Sequence, residues 1–518
     1  MAQPEKKDQK ASTSKRRGRF RRFLRWTWRA LLVYCLLSVI VSFIPEGPLE
    51  IDEIGPGERI VLSGDLYAGA AKIDITPGED LRGQLRLYGE EPPIEGVHDP
   101  IYARALSLGT AKSDDILTFV SVEILIIPPT LRPAVKAELA DRGHPGVHLV
   151  LGATHTHAGP GNFWTVPFAD YYMGELNETF FGDLVDGIAA AVVKSIESMR
   201  RARIGFVEAQ TQHLVKHRRL KEPVTGLRPP VDEELEVMRV DAKDGSATIA
   251  YVLNFGAHPT TILHRTDRQI SGGFPGAISR KLEERQKGAV ALFMQGACGS
   301  VRATSPRPYA NYAGIAHEKF AKVEMQADML LHYVTQAEAN IRYVSQLDLS
   351  AALIRVALPG PDAHFFPEER PYMVVRVLTL IPNWLFNRLA DWWALPDETV
   401  FQAVRINNAY LLTFPCDLSN RLGWEIKRHI RRDHVFILGH SNDYAMGYVL
   451  TREEYDMGGI RKGGSERGQC YFGKRAGPFC VKVAHELASR VREADADDVF
   501  RYRTGGQPGR LPDGTRLK

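Results

Sequence analysis

The sequence predicts a large α/β domain built on a mixed sheet, with its reactive residues at the carboxyl ends of strands and one N-terminal transmembrane helix ahead of it. Three observations predict this. Short β-rich apolar runs alternate with longer amphipathic stretches such as 175–199 and 273–285. Five apolar runs each end in a Gly- or Pro-rich turn carrying His, Asp, Cys, Ser or Tyr. A strongly basic N-terminus runs directly into an uncharged apolar segment.

The N-terminal segment comes first along the chain. The chain has 518 residues and a formal net charge of +4, but residues 1–29 hold eleven Lys/Arg against Glu5 and Asp8, leaving the remainder at −5. A mildly acidic body excludes a nucleic-acid surface. Residues 30–44 (ALLVYCLLSVIVSFI) carry no charge. Counted from Trp26, the stretch approaches the roughly 20 residues that cross a bilayer. Basic flanks stay cytoplasmic, so the body is expected outside the cytoplasm, periplasmic or extracellular. The run ends in FIPEGPLE without a small-residue cleavage site, which favours an uncleaved anchor over a signal peptide. Residues 1–29 are thus expected to be a cytoplasmic tail, 30–44 the anchor and 45–66 a Pro/Gly-containing linker. The catalytic body is expected over 67–500, with a tail at 501–518.

Outside the anchor there are four cysteines, Cys298, Cys416, Cys470 and Cys480, an even number in a compartment that tolerates disulfides. Cys470 and Cys480 flank a short Gly-containing loop and are expected to close it. No internal repeat is visible. Residues 366–396 form an aromatic-rich piece with Trp384, Phe386, Trp392 and Trp393 beside Arg388. It reads either as a membrane-interface insertion admitting a lipid or as a helix pair packed on the body.

The five strand ends carry the chemistry. Val147–Leu151 leads into GATHTHAGPG, Thr248–Phe255 into GAHPT and Ala289–Met294 into QGACGS. Tyr410–Phe414 leads into PCD and Val435–Leu438 into GHSNDY. In open α/β sheets, ligands bind where such loops converge. His155-Thr-His157 places two imidazoles on one side of an extended backbone. His258 adds a third imidazole and Asp417 a carboxylate. Together they form the nitrogen and oxygen donor set of a catalytic zinc site.

These blocks resemble the neutral/alkaline non-lysosomal ceramidases. The HTH-x-GPG block, the HPT block, the Gly-rich turn 295–300, the Pro-x-acid block and the final SN-x-Y…Y-x-x-T-x-EEY block stand in that family's order over roughly residues 67–490. The resemblance implies one zinc per chain and hydrolysis of an N-acyl-sphingosine amide. By position it implies His155, His258, Asp417 and Tyr448 as zinc ligands. It implies His157 as the catalytic histidine and Arg218 as the cation near the oxyanion. Several positions depart from the pattern. Asp417 stands where the family has glutamate, Ser300 falls on the family's aspartate, and Arg302 falls on its serine. Ser300 is therefore the candidate substitute for a missing catalytic group. The tyrosine expected after Glu454-Tyr455 is replaced by Gly-Gly-Ile. Three functions follow as expectations: a zinc amidase of N-acyl lipids, a zinc hydrolase of other amides or esters, and a degenerate, non-catalytic binding protein.

Overall fold

The computed structural model describes residues 23–34, 48–87, 92–111, 113–164, 173–218, 229–263, 267–304, 318–358, 396–430, 432–457 and 469–491. The strands, in chain order, begin with β1 (Glu58–Asp74), β2 (Gly96–Val97), β3 (Tyr102–Thr110), β4 (Ile116–Val122), β5 (Val147–Ala153) and β6 (Arg200–Gln210). They continue with β7 (Val215–His217), β8 (Glu234–Ala242), β9 (Thr248–Phe255), β10 (Gln269–Ile270), β11 (Val290–Gln295) and β12 (Val301–Ala303). The last are β13 (Gln346–Ala357), β14 (Glu398–Ile406), β15 (Ala409–Thr413), β16 (Asp417–Leu418), β17 (His434–Leu438) and β18 (Tyr448–Val449).

Twelve of these join one mixed sheet, and its topology recurs three times. In the first limb β1, β3 and β4 pair antiparallel and β4 then pairs parallel with β5. The second limb repeats this with β6, β8, β9 and β11. The third repeats it with β13, β14, β15 and β17. In each limb one helix crosses between the two parallel strands: Leu131–Asp141, Gly273–Arg285 and Asn420–Ile430. A second helix follows the last strand: Glu178–Glu197, Glu318–Ala337 and Ala476–Arg490. The sequence shows no repeat, so the recurrence lives in backbone direction and burial rather than in residue identity.

Burial explains the arrangement. The parallel strands β9, β11 and β15 are buried at every residue, as unbroken apolar runs require. The inner faces of all three limbs meet in one core that includes Leu106, Phe119, Met238, Leu292, Ile406 and Phe436. Each outer face is covered by its own helix pair. Helix Glu178–Glu197 shows how sequence sets this locally. Asn177 caps it by accepting from the Phe180 amide at 2.9 Å, and Phe180, Leu184, Ile188 and Val192 repeat every fourth residue on the buried side.

Strand β1 is the joint between limbs. Its first half, Glu58–Asp65, pairs with β13, and its second half, Leu66–Asp74, pairs with β3. This corrects the expected linker over 45–66, because Ile60, Leu62 and Leu66 are core residues. An alternating pattern interrupted by Gly64 conceals a strand that changes partner at that point. The N-terminal helix occupies 23–34 and is exposed throughout. Among the described residues, no helix is long and apolar enough to cross a membrane. Most of the expected anchor, nearly all of 366–396 and all of 501–518 lie outside the described residues.

The cysteine expectation is also corrected. Cys298, Cys416, Cys470 and Cys480 are all buried, and none of the four is in a disulfide. Cys470 packs with Tyr448, Leu450 and Tyr455. Cys480 faces a different cluster, together with Cys416, so the loop between Cys470 and Cys480 is held by packing.

Candidate metal centre

All the chemistry-bearing turns leave the same ends of the three limbs. The β5 turn brings His155 and His157, the β9 turn His258, the β11 turn Cys298, the β15 turn Asp417 and the β17 turn His440. Their backbones interlock. The Gly296 amide donates to Phe255 O at 3.0 Å, the Gly439 amide to Gln295 O at 2.9 Å and the Ala153 amide to His440 O at 3.0 Å. Gly296 is required for this approach, since a Cβ there would lie 2.6 Å from the Gly256 nitrogen. His155 and His440 adopt left-handed backbone, with φ of 65° and 50°. Such strain in non-glycine residues concentrates at functional sites.

The imidazoles converge. His155 Nε2 lies 3.1 Å from His258 Nε2, and His157 Nε2 lies 3.3 Å and 3.0 Å from these two. His155 Nδ1 donates to Leu125 O at 2.7 Å. His258 Nδ1 lies 3.4 Å from Cys298 O, an atom that can only accept. Arg218 Nη1 lies 3.4 Å from His258 Nδ1 and 3.5 Å from its Nε2 and can donate to either. His155 carries its proton on Nδ1, toward Leu125 O, and turns a bare Nε2 toward His258 and His157. His157 can bridge only one pair at a time. The Leu125 carbonyl thus fixes the His155 ring in the orientation a metal-binding histidine needs.

Asp417 completes the cluster. Its Oδ2 lies 3.5 Å from His155 Nε2 and, though buried, has no hydrogen-bond partner. Its Oδ1 lies 3.2 Å from His440 Nε2 and 3.4 Å from Cys298 Sγ. Donor atoms of His155, His258, Cys298 and Asp417 all lie within 4.8 Å of one another. Tyr448 arrives through backbone pairing, because β16 and β18 place Asp417 directly opposite Tyr448. The Tyr448 hydroxyl accepts from Arg218 Nη1 at 3.3 Å, and its ring lies near parallel to that of His258.

Electrostatics favour a bound cation. Burial pushes His155 and His258 well below the usual imidazole range. Burial and then the Arg218 charge bring His157 down to about 3. Burial alone would raise the Asp417 carboxyl, but His440, His155 and His258 hold it well below the usual carboxylate range. The site thus presents unprotonated nitrogen donors and an ionised carboxylate. Glu208, Glu234 and Glu236 form a second acidic group. There Lys427 Nζ, 2.8 Å from Glu234 and 3.1 Å from Asp232, already supplies the positive charge.

The structure brings together His155, His157, His258, Asp417, Arg218 and Tyr448. Ser300 lies beneath them. Its carbonyl accepts from the Arg218 amide at 3.0 Å, and its hydroxyl accepts from the Asn420 amide at 3.3 Å. Cys298 and His440 sat in turns singled out from the sequence without a role. A lone His and a lone Cys after strands signal nothing until β15 and β17 are known to pair.

Residues 67–305 match the family model described as neutral/alkaline non-lysosomal ceramidase, N-terminal. A neutral ceramidase of Pseudomonas aeruginosa is 24% identical over 453 residues, covering 75% of this chain and 67% of that protein. One of Mycobacterium tuberculosis is 22% identical over 506 residues, covering 83% and 77%. The crystal structure of the Pseudomonas aeruginosa neutral ceramidase superposes with a TM-score of 0.67 at 21% identity, over 82% of this chain and 74% of that one. That structural likeness establishes the fold.

Proposed function

Taking residues 67–305 as a neutral/alkaline ceramidase domain, we propose that the protein is a zinc-dependent amidase that cleaves the amide of an N-acyl sphingoid or related N-acyl lipid. One observation carries the reading. Nε2 of His155 and Nε2 of His258 lie 3.1 Å apart, inside a group of four buried donors, with Cys298 and Asp417, whose ligand atoms all stand within 4.8 Å of one another. His155, His258, Asp417 and Tyr448 are the residues to hold one zinc ion. When bound, that ion supplies Lewis acidity and lowers the pKa of a water toward ~7.

The chain's own groups do the rest. His157 is less buried than His155 and His258. Its neutral ring takes the proton of the attacking water at Nε2 and passes it to the leaving nitrogen. Arg218 stands beside both Tyr448 and His258 and places a guanidinium where oxyanion charge grows. Ser300 holds Arg218 in place through its carbonyl. The basic segment and apolar run at the N-terminus attach the protein to a membrane, with the body periplasmic or extracellular. The charge step in the sequence supports this placement.

A second reading, a zinc hydrolase of other amides or esters, is favoured by Asp417 standing in place of a longer glutamate.

The test is metal analysis of the purified full-length protein together with turnover of fluorescent N-acyl-sphingosine, other N-acyl amides and esters. His258→Ala should lose most zinc. His157→Ala should keep zinc and lose roughly 10²–10⁴-fold in turnover, the range for an acid–base group. Zinc lost in His157→Ala and kept in His258→Ala would overturn the division of roles. Turnover confined to amides or esters without a sphingoid base would select the second reading.

A further inference from the structure

Cys298, His440 and Asp417 make a second set of donors behind the first. Cys298 Sγ lies 3.4 Å from Asp417 Oδ1 and 3.6 Å from His440 Nε2, and His440 Nε2 lies 3.2 Å from Asp417 Oδ1. All three residues are essentially inaccessible. Around a tetrahedral ion with nitrogen or oxygen at about 2.0–2.1 Å and sulfur at about 2.3 Å, neighbouring donors stand about 3.3–3.6 Å apart. The sides of the triangle, 3.2, 3.4 and 3.6 Å, come within about 0.2 Å of these spacings.

The supporting geometry aims the donors inward. His440 is clamped between two rings, His155 at 3.8 Å on one side and Tyr444 at 5.5 Å on the other, both near parallel. Its backbone is left-handed, at φ 50°. The two oxygens of Asp417 have different nearest partners: Oδ2 lies 3.5 Å from His155 Nε2, and Oδ1 lies 3.2 Å from His440 Nε2 and 3.4 Å from Cys298 Sγ, with His258 Nδ1 farther off at 3.8 Å. A carboxylate so placed can bridge two ions.

We propose that Cys298, His440 and the Oδ1 atom of Asp417 bind a second divalent cation beside the first, with Asp417 shared between the two. The proposal rests on the first centre proposed above. Thiolate, imidazole and carboxylate together select a borderline-soft divalent ion such as Zn²⁺ or Co²⁺ over Mg²⁺ or Ca²⁺. Binding converts the Cys298 thiol to thiolate, and its proton leaves to solvent. The competing arrangement is a hydrogen-bonded cluster in which Cys298 S–H and His440 Nε2–H both donate to Oδ1.

The experiment is a titration of the metal-free full-length protein with Co²⁺, reading the number bound and the near-ultraviolet sulfur-to-cobalt charge-transfer band. Two cobalt ions per chain with the band are expected. Cys298→Ser and His440→Phe, the latter keeping the aromatic stack, should each bind one ion and lose the band. Cys480→Ser, whose thiol meets Cys416 and none of the proposed donors, should keep both ions and the band. If Cys298→Ser fails to fold, as its circular dichroism would report, the parent and His440→Phe decide. One cobalt without the band overturns the proposal in favour of the hydrogen-bonded cluster and leaves the first centre standing. One cobalt with the band also overturns it and moves Cys298 into the first centre. No bound cobalt overturns both.

Discussion

Arg104→Met should destabilise the protein by about 3 kcal/mol at pH 7.5, with consequences that reach the metal centre. Arg104 is 1% exposed. Its Nη1 lies 2.5 Å from Glu123 Oε1 and its Nε 2.8 Å from Glu283 Oε1. Burial opposes its charge, yet Glu123 and Glu283 hold the guanidinium above its ordinary value. Removing one partner of a buried pair costs about 3–5 kcal/mol, because the other charge is left without compensation. Lys72 Nζ, 2.6 Å from Glu283 Oε2, keeps that carboxylate neutralised, so the lower end applies and the loss falls on Glu123. The sign with pH follows from Glu283. Burial would raise its carboxyl, but Arg104 pulls it below the usual value. Its stabilisation is therefore present above the unfolded value near 4.5 and is lost as pH falls through the folded one. With Arg104 gone, burial, the largest influence on the Glu283 carboxyl, is opposed chiefly by Lys72, so Glu283 takes up a proton more readily and the deficit against the parent should shrink between pH 7.5 and 5. Urea denaturation of both proteins at the two pH values measures this. A deficit below about 1 kcal/mol at pH 7.5, or one that grows on acidification, would refute the reasoning. Zinc affinity should drop as well, because Val122 O and Ile124 O, on either side of Glu123, hold the Thr154 and His155 amides at 2.9 Å and 3.0 Å.

Further outcomes follow from the same packing. Asn254 ties the second limb to the third, donating to Met294 O and Ile437 O and accepting from the Ile437 amide, each at 2.9 Å. Asn254→Ala should cost about 2–4 kcal/mol in urea denaturation, since it strands buried backbone groups; a loss under about 1 kcal/mol would contradict that role. Gly299→Ala would set a Cβ 2.5 Å from Asp417 O. It should weaken zinc binding by roughly tenfold or more while circular dichroism stays unchanged; unaltered affinity would show that Asp417 is no ligand. In the metal-free protein, ring resonances of His155, His157 and His258 should remain those of neutral imidazole down to pH 5, because burial holds all three low. Each ring then subtracts from stability as pH falls below ~6.5, where the unfolded chain binds the proton that the folded site refuses. Titration of any of the three near 6.5 would contradict their burial.

The parts legible in sequence were those whose physics is local. A buried parallel strand reads as an unbroken apolar run, and a turn that must pack backbone on backbone reads as glycine. Hence Thr248–Phe255 and helix Gly273–Arg285 stand where the pattern put them. So do the turns of His155, His258 and Asp417. What was hidden depends on pairings between distant segments. Nothing near Glu58 announces a strand that serves two limbs. The meeting of Asp417 with Tyr448 is a register fact of a two-residue ladder. His440 becomes a neighbour of Asp417 only once the third limb folds. The pairing expected for Cys470 and Cys480 failed because closeness in sequence says nothing about which cluster each thiol faces.

The threefold recurrence also bears on how the molecule ages. The first limb supplies His155 and His157, the second His258 and Cys298, and the third Asp417, His440 and Tyr448. A cation at their meeting point is the keystone of an arch, touching every span while belonging to none. Its binding adds to the folding free energy by mass action, about 4 kcal/mol at a thousandfold excess over Kd. That increment acts across the seams between limbs rather than within any one of them. On the function proposed above, a protein deprived of metal should open first along those seams, and limited proteolysis should cut it there. Metal supply in the surroundings would then set how much of this protein survives.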